Sequence, residues 1–95
     1  MNLAELRKFK PQIMELASKY GVGEIFVFGS VARGDADENS DVDLLIDKFS
    51  GSFLKFVSLK LDISDIIGKP VDLFKLSNIK HHLVKENIYC DLKPL

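Results

Sequence analysis

The sequence predicts an α/β domain: a small mixed sheet of three or four strands flanked by helices. Two observations carry this. Apolar runs of strand length fall at residues 24–28, 41–46 and 71–74, and segments with helical spacing lie before, between and after them. Gly21, Gly23, Gly51, Gly68 and Pro70 sit at the junctions, where turns are expected. Helix and strand therefore alternate, the pattern of a sheet covered by helices.

Taken in order, residues 2–20 are helical in pattern. Leu3, Leu6 and Phe9 share one spacing, and Ile13, Met14, Leu16 and Ala17 share the next. Pro11 cannot lie inside an unbroken helix without cost, so the spacing predicts a short helix to about Phe9 and a second that carries Pro11 in its first turn. Gly21 ends it. Residues 24–28 form the first strand, and Val31 to Arg33 make one helical turn after Gly29 and Ser30. Residues 34–40 are polar and read as a loop. Residues 41–46 form the second strand. Ser52 is placed to cap a long helix running to about Ile67, stopped by Gly68. Its apolar residues, Phe53, Phe56, Val57, Leu59, Leu61, Ile63, Ile66 and Ile67, form a band wider than one stripe, as in a helix covered on two sides. Residues 71–74 give the third strand. Ser77 caps a last helix through about Asn87, and residues 88–95 make a tail or a short edge strand.

Ninety-five residues suit one domain, residues 1–95, without a separate acceptor-binding domain. At 46% hydrophobic the chain is globular. No stretch approaches a membrane span, and the N-terminus lacks the character of a signal peptide. A single cysteine, Cys90, excludes an internal disulfide framework and fits the cytoplasm. The net charge of −1 hides an asymmetry: residues 1–47 carry five Lys/Arg against nine Asp/Glu, and residues 48–95 carry eight against five. Six carboxylates and no basic residue lie between Asp35 and Asp47. Such a cluster repels a polyanion unless cations screen it, and the basic surplus elsewhere is dispersed, so direct nucleic-acid binding is not expected.

The chemistry concentrates in the acidic stretch. On a strand, residues i and i+2 share a face, so Asp41 and Asp43 project together while Val42, Leu44 and Ile46 point into a core. Paired carboxylates repel each other unless a proton or cation lies between them, and hard oxygen ligands suit Mg²⁺ or Mn²⁺. A bare pair of this kind is also an ordinary solvated strand edge. Gly29 and Ser30, where a strand enters a helical turn, offer backbone N–H groups and a hydroxyl to a phosphate. Arg33, one turn on, is placed to grip the same group, although a surface ion pair would also explain it. Gly-Ser, ten residues, then Asp-x-Asp arises by chance about once in a thousand chains of this length. Asp72 stands alone among apolar neighbours on the third strand. If that strand lies beside the second, Asp72 faces the same side as Asp41 and Asp43. Three carboxylates around two cations suit in-line nucleotidyl transfer.

These residues resemble the polymerase-β-type nucleotidyltransferase superfamily. The forms G-S-V-A-R-G and S-D-V-D-L-L, with the chain length, resemble its smallest members, the minimal nucleotidyltransferases (MNT). The resemblance implies the polymerase-β-like fold. It also implies that Asp41 and Asp43 bind Mg²⁺ and that Asp72 is the third acid, a ligand of the catalytic metal that helps deprotonate the acceptor hydroxyl. Two Mg²⁺ ions are expected, with Mn²⁺ as a substitute. Gly29 and Ser30 would hold the β- and γ-phosphates of ATP or another NTP, with Arg33 in support. MNT proteins are commonly paired with a helical HEPN protein. In several pairs that protein is an RNase toxin, and the MNT antitoxin moves AMP from ATP onto one of its tyrosines. The same transfer is the leading expectation here, and the two-sided helix suits a docked partner.

Two other readings remain open: an antitoxin that neutralises its partner by covering it, and transfer to a small hydroxylated molecule. His81 and His82 are adjacent and diverge on a helix, so a solvated helix start explains them better than a metal. Tyr20 and Tyr89 read as packing residues or self-modification sites. Asp35, Asp37 and Glu38 read as loop solvation. The pattern defines the chemistry more closely than the nucleotide, the acceptor or the oligomeric state.

Overall fold

In a computed structural model, residues 1–37, 39–75 and 92–95 are described. The elements are α1 (Leu3–Arg7), α2 (Lys10–Tyr20), β1 (Glu24–Phe28), α3 (Gly29–Arg33), β2 (Val42–Asp47), α4 (Phe53–Ile67), β3 (Val71–Lys75) and β4 (Lys93–Pro94). The expected helix over 77–87, with His81, His82, Tyr89 and Cys90, lies outside the described residues, as does Glu38.

Local chemistry sets the helix ends. The Asn2 side chain accepts from the Glu5 N–H at 2.8 Å and caps α1. Pro11 stands in the first turn of α2, where its missing N–H costs nothing. The Ser52 hydroxyl accepts from the Lys55 N–H at 3.3 Å and caps α4, as its position predicted. Gly21 and Gly68 end α2 and α4 in the left-handed conformation. The Tyr20 hydroxyl donates to Asp62 Oδ2 at 2.7 Å, which ties α2 to α4.

The sheet order is β3-β2-β1-β4. β1 runs antiparallel to β2 and β4, and β2 runs parallel to β3, with α4 making the crossover. The sheet is therefore mixed and four-stranded. One face carries Ile25, Val27, Val42, Leu44, Ile46, Val71 and Leu73, all buried. They join Leu6, Ile13 and Ala17 from α1 and α2, and Leu59, Ile63 and Ile67 from α4, in one core. The other face carries Glu24, Phe26 and Phe28 from β1, Asp43, Leu45 and Asp47 from β2, and Asp72 and Phe74 from β3.

Four details differ from the expectations. Helix α3 begins at Gly29 rather than after Ser30, so both residues belong to its first turn. Strand β2 begins at Val42, so Asp41 precedes it and is exposed. Leu45 is fully buried although it shares a face with Asp43. The unbroken Leu44-Leu45-Ile46 run thus reflects a strand covered on both faces at that point, not alternation. The second side of α4, expected to be covered, is instead partly exposed. Leu59, Ile63 and Ile67 face the core, whereas Phe53, Leu54 and Leu61 are exposed.

Candidate active site

The parallel pairing of β2 and β3 places Asp43 opposite Asp72. The antiparallel pairing of β1 and β2 places Phe28 opposite Asp43. Phe28, Asp43 and Asp72 therefore form one row across three strands, and Gly29 follows directly after Phe28. Two residues further along β2 and β3, Phe26, Leu45 and Phe74 form the next row.

Gly29 is where the two halves of the motif meet. Its φ is 72°, in the left-handed region. A Cβ built there would collide with Asp43 Oδ2. The glycine therefore has a local role beyond approach to a phosphate: its missing side chain makes room for the Asp43 carboxylate. The first N–H groups of α3, from Gly29 onward, have no intrahelical acceptor.

The Asp43 carboxyl titrates above the usual carboxylate range. Burial is the largest cause, followed by the negative charges of Asp72 and Asp41 and a hydrogen bond with Asp72; Arg33 acts the other way. Carboxyl groups set this close repel each other in their charged forms, and a cation beside them would relieve that repulsion. Asp41 adds charge from just outside β2. It is positioned by the loop before it, where Asp37 Oδ1 accepts from the Asn39 N–H at 2.8 Å and the Ser40 hydroxyl at 3.1 Å. Those bonds, the Asn39 N–H first, lower the Asp37 pKa. Asp37 is thus a loop-building residue. Arg33 pairs with Asp35, Nε to Oδ2 at 3.3 Å, and contributes to the field on Asp43.

Among the described residues, no three His, Cys, Asp or Glu side chains gather closely enough to hold an ion by themselves. Mg²⁺, however, is usually held by one or two carboxylates and completed by water and substrate phosphates. Asp43 and Asp72 are such a pair, so the donor set fits a divalent cation that arrives with a nucleotide. The strand register sets Asp72 beside Asp43, while Asp41 lies just before the strand on which the i, i+2 spacing was read. Leu45, Phe28 and Phe74 were not marked by the sequence as part of this face. Their signal was the unbroken apolar run in β2 and an aromatic residue beside each half of the motif.

Residues 11–95 match the family model for polymerase-β nucleotidyltransferases. The chain belongs to this family. It is thereby an enzyme of the nucleotidyltransferase type. The protein adenylyltransferase MntA of Thermococcus cleftensis is 44% identical over 72 residues, which cover 75% of this chain and 73% of that protein. A solved minimal nucleotidyltransferase superposes with a TM-score of 0.83 at 33% identity, covering 100% of this chain and 97% of the other. A chain of the complex between the tri-AMPylated Shewanella oneidensis HEPN toxin and its MNT antitoxin shares the fold, with a TM-score of 0.69 at 15% identity over 94% of this chain and 70% of that one. No helix among the described residues is long and apolar enough to cross a membrane.

Proposed function

We propose that this protein is a cytoplasmic, single-domain antitoxin that transfers AMP from ATP to a tyrosine hydroxyl of a HEPN partner. The observation that carries the reading is the register that sets Asp43 beside Asp72, with Gly29 against Asp43. Family membership, the adenylyltransferase name of the Thermococcus relative and the shared fold of the Shewanella antitoxin complex support it.

In this reading Asp41, Asp43 and Asp72 hold Mg²⁺, two ions in the full site, with Mn²⁺ as a substitute. The metal, when bound, would neutralise phosphate charge and lower the pKa of the attacking hydroxyl. The chain's own residues do the rest. Gly29 and Ser30 present N–H groups and a hydroxyl to the terminal phosphates, and Arg33 adds positive charge one helical turn away. Asp72, on the far side of Asp43 from Gly29, would take the proton from the acceptor hydroxyl.

The test is incubation with each α-labelled NTP and Mg²⁺, with and without the small helical protein encoded beside this one. Labelling of that protein from ATP, lost in the Asp43→Asn variant, is the expected result. No transfer from any NTP to the partner would overturn the reading. A second reading rests on Phe53, Leu54 and Leu61, which are exposed on α4 away from the core. It is an antitoxin that neutralises by binding. It gains if an Asp41→Asn, Asp43→Asn double variant neutralises the partner fully.

A further inference from the structure

Two aromatic rings link the row of the acids to the row behind it. Phe28 on β1 and Phe74 on β3 flank β2 from opposite sides, yet their ring centroids are 5.6 Å apart with planes tilted by 57°. The two rings therefore meet over β2, on the face where Leu45 is fully buried. A tilted pair at this spacing is a favourable arrangement that fixes both rings. Phe28 is half-buried, whereas Phe74 remains 42% exposed. Isolated exposed apolar residues need no explanation. This one lies two residues after Asp72 on the same strand face, about 7 Å along β3.

In-line displacement sets the attacking oxygen and the leaving phosphate on opposite sides of the transferred phosphorus. Gly29 and Ser30 mark the leaving side, beyond β1. Asp72 and Phe74 mark the other side, on β3. A hydroxyl that approaches Asp72 from there passes the open edge of the Phe74 ring. An aliphatic polyol gains little from that edge. A phenol carries its ring next to its reacting oxygen, so the ring would stack on Phe74 as the oxygen reached Asp72.

We infer that Phe74, braced by Phe28, is a specificity-determining residue that receives the aromatic ring of a tyrosine acceptor. The inference rests on the transferase reading above and adds to it the side chain that selects the acceptor. The nucleobase is the competing occupant of the same ring, and the test separates the two.

The experiment uses the full chain with Mg²⁺, α-labelled ATP, and two synthetic peptides that differ only in carrying one tyrosine or one serine. Wild-type protein is expected to prefer the tyrosine peptide by about tenfold in kcat/KM. Phe74→Ala is expected to raise KM for that peptide by about tenfold, abolish the preference and leave ATP affinity unchanged; Phe74→Tyr is expected to restore it. Phe74→Leu, which keeps apolar bulk without an aromatic face, serves as the second variant should alanine unfold the domain, and is expected to lose the preference too. An unchanged preference in these variants, or a weakened ATP affinity with the preference intact, would overturn the inference while leaving the transferase reading in place. If wild-type protein labels neither peptide, the transferase reading is what fails to gain support. The inference is then decided by NMR of the protein with Mg²⁺, a non-hydrolysable ATP analogue and N-acetyltyrosinamide. Shifts of the Phe74 and Phe28 ring signals support it, and their absence overturns it.

Discussion

Leu44 and Leu45 are neighbours on β2 and both are fully buried, but they lie on opposite faces of one sheet. Leu44 belongs to the face that packs on α1, α2 and α4, where the strand residues are buried and apolar except for Lys75 at the end of β3 and Lys93 on β4. The Lys75 ammonium there lies 5.0 Å from the Phe49 ring and 5.2 Å from the Phe56 ring. Leu45 belongs to the face that carries Asp43, Asp72, Phe28 and Phe74. The strands are shared, so the helical face holds the acids of the other face in register. One face gives up charge to gain packing. The other keeps two carboxyl groups close enough that one of them titrates high. A stable arrangement of that kind needs either a proton or a cation.

Several substitutions sharpen this contrast. The largest effect is expected from Asp43→Asn or Asp41→Asn: label transfer from ATP falls at least a hundredfold while circular dichroism shows the fold intact. On the helical face, Leu44→Ala is expected to cost about 2–5 kcal/mol in denaturant unfolding. Phe74→Ala, on the open face, should cost clearly less, because its ring is already partly in water. Equal costs would mean that the two faces do not differ in packing as described.

Gly29→Ala tests the junction between the faces. A left-handed φ and a Cβ directed at the Asp43 carboxylate together are expected to cost about 1–3 kcal/mol and to displace that carboxylate, so transfer should fall along with stability. A smaller effect concerns pH. The folded Asp43 pKa is raised, so in metal-free protein the native state holds that proton more tightly than the unfolded chain does. The Asp43 contribution to stability is then most favourable at low pH and is lost as pH rises through the raised value. Metal affinity runs the other way. A cation must displace the proton, so Mn²⁺ binding measured by titration should weaken as pH falls, beginning above the usual carboxylate range.

Much of this was legible in the chain. The bounds of β1 and α4, the Ser52 cap and the α2 stop at Gly21 all follow from local patterns of turn chemistry and periodicity. The side-by-side position of β2 and β3 was a conditional expectation, and the register of Asp43 with Asp72 meets it. What local pattern did not reveal depends on contacts between distant segments. Asp41 falls outside β2 because ladder pairing starts at Val42, whose N–H donates to the Pro70 carbonyl. The burial of Leu45 and the meeting of Phe28 with Phe74 depend on strand order, which period-2 alternation does not encode. The space Gly29 leaves for Asp43 belongs to the same class: a glycine after a strand looks the same in sequence whether or not a carboxylate lies against it.

The proposed function makes the face that carries Asp43 and Asp72 a cation site whose charge is unbalanced until metal and nucleotide arrive. Thermal unfolding of wild-type protein and Asp43→Asn, each with chelator and then with Mg²⁺ and a non-hydrolysable ATP analogue, tests it directly. With chelator at neutral pH, Asp43→Asn should melt above wild type, because the variant removes a half-buried charge that repels Asp72 and Asp41. With Mg²⁺ and nucleotide, wild type should rise and the variant should gain little, closing or reversing the gap. Equal gains by both proteins, or no gain by wild type, would contradict the assignment of this face as the site.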